Sequence, residues 1–459
     1  MSKPAEPGFF HSLLCFGGVI FIVIFGLLGL EINLHVLLIA SLAWVASHAA
    51  KLGFSFASIK TAMSAGIEKG LGAIYIFILI GVLIAALIEA GTIGSLVYYG
   101  GNLLHPSIFL PAGLLFCSLM SIATGTAWGT TATIGVVLMG LGGPLGIPPP
   151  VVAGMVVSGA SFGDKMSPVS DTTVLAAMSA DTNIYAHIRS MLYTTVPTYI
   201  ICLAIYVVLG LQYADQSLSI TQLDELQRHL ANEFVISPIA LLPLFVLLIL
   251  SIRRFPAELS MMASVVAAIA LAVTAQGSPL PEVLNSLHEG YVSDAGIESM
   301  DMLLNRGGIQ SMMWTLSLAL IALALGGLLH KSGFIQVLLA GILARIKRSA
   351  SLVATTIAAG VISNMSMGEA YLSIIFGGQI FGDSYKKHKL QKYMLSRCLE
   401  EGATLSTSII PWTTSGVFMA GVLGVSVLDF APWAFFNYIN PLLSIALAYL
   451  GFGIFKKEG

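Results

Sequence analysis

The chain has 459 residues, of which 56% are hydrophobic and only 10% charged, with a formal net charge of −2. Soluble domains carry about 25% charged residues, so this composition, with a mean hydropathy of +0.90, excludes an ordinary soluble domain and points to an all-α polytopic membrane protein. The balance of charge lacks the basic face that nucleic acid requires. Cys15, Cys117, Cys202 and Cys398 stand singly in apolar segments, which suits small core residues and neither a disulfide framework nor a metal cluster.

Only Lys3 precedes the first long apolar stretch, and no small-residue cleavage site follows it, so the stretch is read as a first span rather than a removed signal. Apolar runs then predict helices over Phe9–Leu30, Leu34–Ala50, Leu71–Ala90, Val151–Ala180 (broken) and Ser190–Leu211. Ile108–Leu141 is apolar but interrupted at Thr124-Gly125-Thr126, the pattern of a re-entrant hairpin. Tyr213–Glu233 is polar and is read as a linker. Beyond it come Phe234–Ile252, Ala257–Ala275, Gln310–His330, Tyr393–Leu428 (broken) and Phe435–Phe455. A second hairpin, Leu352–Phe381, is interrupted at Met365-Ser366-Met367-Gly368-Glu369.

The halves are related. A shift of 243 places Pro168-Val-Ser-Asp-Thr-Thr173 on Pro411-Trp-Thr-Thr-Ser-Gly416, Gly159-Ala-Ser161 on Gly402-Ala-Thr404, and Gly125-Thr-Ala-Trp128 on Gly368-Glu-Ala-Tyr371. The expected organisation is therefore a first repeat over 1–212, an extracytoplasmic linker over 213–233 and a second repeat over 234–459. Each repeat has five spans and a hairpin, an odd number, so the second copy is inverted. Basic residues agree: the loop bearing Lys51, Lys60 and Lys69 corresponds to one bearing Glu282, Glu289, Asp294, Glu298 and Asp301. With both termini cytoplasmic, only Arg228 and Arg306 fall outside, while Lys165 and Arg397 lie within the membrane.

The segment Gly159–Thr173 puts Asp164, Lys165 and Asp171 inside lipid-spanning chain and breaks it with Pro168. A charged group at bilayer depth costs about 2.5–3.5 kcal/mol on insertion scales and marks an ion or substrate path. Proline removes a backbone donor, so freed carbonyls, hydroxyls and carboxylates converge, a device of secondary transporters. The first half offers Thr124, Thr126, Ser161, Asp164, Ser167, Ser170, Asp171, Thr172 and Thr173. From the second come Asn364, Ser366, Glu369, Thr404, Thr407, Thr413, Thr414 and Ser415. These hard oxygen ligands suit an alkali cation better than zinc or copper. Asp171, past the proline and beside two threonines, is the first choice for the cation-binding carboxylate; the plainer reading makes it a helix cap. Asp164 shares the cation or neutralises Lys165 or Arg397, and Lys165 is expected to reach Glu369, Glu400 or Glu401 rather than its neighbour. Thr413, Thr414 and Ser415 bind in the second half, or bond back to the preceding turn.

Gly163-Asp-Lys-Met-Ser-Pro-Val-Ser-Asp-Thr-Thr173, followed by His187-Ile-Arg-Ser-Met-Leu-Tyr-Thr-Thr-Val-Pro197, resembles the signature of the NhaC family of Na+/H+ antiporters. The resemblance spans essentially the whole chain. It implies two inverted repeats with hairpins, sodium–proton exchange across a bacterial inner membrane by an elevator-like motion, no cofactor, and a scaffold of the kind that forms homodimers. Its transported ions would be sodium and protons at Asp171 and Asp164, with Thr172, Thr173, Ser161 and Ser170 around them. The family is also similar to antiporters exchanging malate and protons for sodium and lactate, and Val174-Leu175-Ala176 resembles that branch. There a small organic acid would sit against Asn364, Ser366, Glu369, Thr413–Ser415, Thr124 and Thr126, assisted by Lys165. An enzyme is not expected: Ser161-Phe-Gly-Asp164 lacks the first glycine of a Gly-x-Gly-Asp protease motif, and no His-Glu-x-x-His occurs.

Overall fold

The computed structural model describes residues 4–100, 105–143, 145–214, 220–253, 255–293, 301, 304–344 and 346–456. Asp294, Glu298 and part of the expected linker, 215–219, lie outside them. Helices carry the chain, and no strand occurs among the described residues. Six helices are individually long and apolar enough to cross a membrane, and nine if each bent pair counts as one span: Phe9–Leu28, Leu34–Lys51, Pro106–Thr124, Ile184–Gln212, Met313–Lys331 and Ser349–Met367 are the six. This is a multi-pass membrane protein.

Five helices were not expected from hydropathy. Phe56–Lys69 and Leu280–Glu289 lie in charged stretches read as loops, and Thr92–Gly100 and Phe334–Leu343 are too short to register as spans. Within the stretch read as a polar linker, Ile220–Glu233 is helical. The expected span from Ser190 begins earlier, at Ile184, because the Asn183 carboxamide accepts from the Tyr185 amide at 2.8 Å and caps the helix there.

Both interrupted apolar stretches fold as helix–turn–helix hairpins. In the first, Pro106–Thr124 turns back into Ala127–Gly142; a Cβ on Gly113 would meet Leu138 Cδ1 at 3.4 Å, so the arms run antiparallel. In the second, Ser349–Met367 turns back into Ala370–Lys387, and Tyr385 reaches Thr356 across the arms at 3.2 Å. The two turns share one backbone geometry. Gly125 (φ 73°) and Gly368 (φ 69°) are left-handed, which glycine alone enters freely, and each donates its N–H four residues back, to Ser121 and Asn364, at 2.8 Å. The next residue caps the returning arm: Thr126 accepts from Gly129 and Glu369 from Leu372.

Helix boundaries recur along the chain. Leu71–Glu89 and Met313–Lys331 are offset by 242 at both ends, and Pro106–Thr124 and Ser349–Met367 by 243. The close approaches recur with them. A Cβ on Gly159 would lie 2.8 Å from the Leu114 carbonyl, and one on Gly402, 243 residues later, 2.4 Å from that of Ile357. Glycine at these places lets a hairpin arm touch the backbone of a broken helix. The two buried apolar clusters each draw on both halves: one joins Leu83, Val156 and Phe418, the other Val19, Leu325 and Tyr385.

Candidate cation-binding site at a broken helix

The first broken helix runs Pro149–Met166, opens at Ser167–Ser170 and resumes as Asp171–Ser179. Pro168 has no N–H to continue the ladder, and Ser167 is extended (φ −81°, ψ 126°). Ser161 and Asp164, three residues apart, share one helix face and line a cavity of about 610 Å³. The tips of both hairpins reach the same space, Thr124–Thr126 from one and Glu369 from the other, together with Ser170, Asp171, Thr172, Thr404, Thr407, Thr414 and Ser415.

The order of burial among the acids differs from expectation. Asp171, the first choice, is exposed at the first position of its half-helix and faces the cavity. Asp164 is the buried one, 8% exposed. It accepts from Ser170 Oγ at 2.7 Å, and Ser170 therefore makes no cap bond to its own helix. Ser170 Oγ lies 3.1 Å from Thr172 Oγ1, which donates to Glu400 at 3.1 Å. Thr173 donates to the carbonyls of Asp164 and Lys165, at 3.2 and 3.1 Å, satisfying the end of the first half-helix.

Several candidates face away from the cavity. Lys165 is fully buried and donates to Asn440 Oδ1 at 2.6 Å. Its ammonium is 3.5 Å from Glu401, which accepts from Thr194 at 2.5 Å and stands 4.0 Å from Arg397. Of the three partners expected for Lys165, Glu401 is the one in contact. Asn364 donates to the Ala403 carbonyl at 2.5 Å and to Ser406 at 2.9 Å, tying the second hairpin to the second broken helix. Ser366 bonds back to Ile362. Thr413 caps Gly416 and donates to the carbonyls of Thr407 and Ile410.

Sequence reasoning named Glu400 and Glu401 only as partners for Lys165 and not as site residues. Glu400 and Glu401 are both fully buried, on a π-helical stretch Glu400–Thr404 that interrupts the second broken helix. Such bulges recur at functional sites. Asn437, which donates to Ser161 at 3.0 Å, was also passed over. The signal was present for the glutamates alone: two adjacent acids in otherwise apolar chain. Among the described residues no three His, Cys, Asp or Glu side chains gather as a metal cluster; what the cavity offers a cation is carboxylate, hydroxyl and carbonyl oxygen.

A helical multi-pass protein with a polar cavity at a broken helix belongs to the class of secondary transporters in its architecture. The sequence profile described as the Na+/H+ antiporter family matches residues 11–182 and 159–452, and the chain belongs to that family. The Na(+)/H(+) antiporter NhaC of Alkalihalophilus pseudofirmus is 36% identical over 460 residues, covering 100% of this chain and 98% of that protein. The malate-2H(+)/Na(+)-lactate antiporter of Bacillus subtilis is 35% identical over 401 residues, 87% of this chain and 86% of its own. An arginine/ornithine antiporter, ArcD of Halobacterium salinarum, is 32% identical over 464 residues, 99% and 94% of the two chains.

Proposed function

We propose that the protein exchanges sodium for protons across a bacterial inner membrane through one shared site at the first helix break. The observation that carries this reading is Asp164, buried and hydrogen-bonded to Ser170, on the wall of a cavity reached by both hairpin tips. Removal from water disfavours a bare carboxylate, and moving a charge through the bilayer centre costs about 2.5–3.5 kcal/mol. A sodium ion or a proton each cancels that charge. Only the two loaded forms then move readily, and the empty site does not, which makes exchange obligatory. Asp171, at the cavity and on the positive end of the Asp171–Ser179 half-helix, takes the role of guiding the cation in. Ser161, Thr172 and the hairpin-tip hydroxyls supply neutral oxygens.

Two inverted repeats, 1–212 and 234–459, joined across 213–233, form the supporting architecture of this reading. The recurrence of helix ends, hairpin tips and glycine contacts at a shift of 242–243 supports it.

The test is proton movement in proteoliposomes, followed by an internal pH dye after sodium is added outside. Sodium-driven proton movement without any organic acid is the expected result. Movement that appears only when malate or lactate is supplied would overturn simple exchange and transfer the protein to the organic-acid branch.

A further inference from the structure

The first break and the second broken helix meet through a chain of four oxygens. Asp164 Oδ1 accepts from Ser170 Oγ at 2.7 Å, Ser170 Oγ is 3.1 Å from Thr172 Oγ1, and Thr172 Oγ1 donates to Glu400 Oε1 at 3.1 Å. Three contacts are thus served by two hydroxyl hydrogens. Both hydrogens point outward to the carboxylates, and lone pairs face each other across the middle contact. The chain lacks one positive charge, which a proton on either carboxylate or a bound cation would supply.

The surroundings repeat that deficit. Asp164, Glu400 and Glu401 are buried acids here, against the two buried bases Lys165 and Arg397, both of which face Glu401. Asp171, Glu258 and Glu369 line the same cavity, where the one base in the lining is the exposed Lys69. A second observation points the same way: Glu400 Oε2 and Thr404 Oγ1, on the same π-helical turn, are buried with no partner beyond each other, and Thr404 lines the cavity. Buried oxygens left unmatched are costly and rare.

We propose that Glu400 is the second carboxylate of the cation site, so that sodium is held between the halves by Asp164, Ser170 and Thr172 on one side and Glu400 and Thr404 on the other. This rests on the reading of the break as the sodium site. One monovalent cation supplies the missing charge, draws the facing lone pairs together and satisfies the unmatched oxygens. Because Glu400 belongs to the second broken helix and Asp164 to the first, the bound ion also cross-links them.

The experiment is equilibrium binding of radioactive sodium to purified protein, with lithium competition, in Asp164→Asn, Glu400→Gln, Glu400→Asp and Thr172→Val. Glu400→Gln should weaken sodium binding about tenfold or more, as expected for a lost charged ligand. Glu400→Asp should recover part of the affinity but alter the sodium-to-lithium ratio, a change that a merely structural role would not produce. Sodium affinity and lithium ratio at wild-type values in Glu400→Gln, with binding abolished in Asp164→Asn, would overturn the role of Glu400 alone. Wild-type binding in Asp164→Asn would instead overturn the site itself. Should Glu400→Gln not fold, Thr172→Val cuts the same chain at its middle hydroxyl; undiminished binding there would equally overturn the proposal.

Discussion

At the first break Ser170 gives its hydroxyl to Asp164 and leaves the helix that follows it uncapped. At the second, 243 residues on, Thr413 caps Gly416 and donates to the carbonyls of Thr407 and Ile410. The two interruptions share a proline and a position in the chain, yet the matching hydroxyl turns to a buried acid in one and back onto its own helix in the other. Under the proposed function, the hydroxyl that turns to an acid belongs to the cation site and the one that turns back onto its helix serves as a cap. Where the first carries Asp164 and Asp171, the second carries Thr407 and Thr414, so a shift of 243 keeps the break and changes the charge.

The sharpest way to break this comparison is Asp164→Asn, which should abolish sodium-driven proton movement in proteoliposomes while the protein still inserts; its counterpart change Thr407→Val should leave measurable exchange. Lys165→Met should come next, because it leaves Glu401 buried beside Arg397 alone; removing one partner of such a pair costs about 3–5 kcal/mol, read as a lowered unfolding temperature in detergent. Ser170→Ala and Thr413→Ala sharpen the contrast most directly. Thr413→Ala loses a cap worth about 1 kcal/mol and should lower thermal stability more than sodium affinity, whereas Ser170→Ala should do the reverse. The smallest effect is expected at Asp181. It is exposed, and its hydrogen-bonded partner Lys392 holds its carboxyl below the usual range, so its contribution is present at neutral pH and lost as the pH falls into the acid range. Exposed pairs matter little, and Asp181→Asn should not measurably change unfolding at pH 7.

Much of this was legible in the sequence. Pro168 announced the break, Gly125 and Gly368 announced the hairpin turns, and a shift of 243 tied the two sets together. Which acid would be buried was not legible. Asp171 and Asp164 are separated by non-helical residues, and only the torsions of Ser167–Ser170 decide their facing. The spacing of Ser161 and Asp164 held a clue, since i and i+3 share a helix face. The contact of Thr172 with Glu400 joins residues 228 apart, and the repeat gives no help because the counterpart of Glu400 is Val157. The amphipathic Phe56–Lys69 and Leu280–Glu289 escaped because a search for spans looks for sustained hydropathy.

The mixing of both halves in each apolar cluster bears on how the chain is made. Val156 packs in a cluster that includes Phe418, and Val19 in one that includes Leu325 and Tyr385. When residue 212 leaves the ribosome, the helices already in the bilayer lack the partners that the second half supplies. Insertion and packing are then separate events, the second waiting on the last third of the chain. A chain stopped early would present those unpaired apolar faces to lipid and to the membrane's quality-control proteases, and two separately made halves would be stable only when produced together.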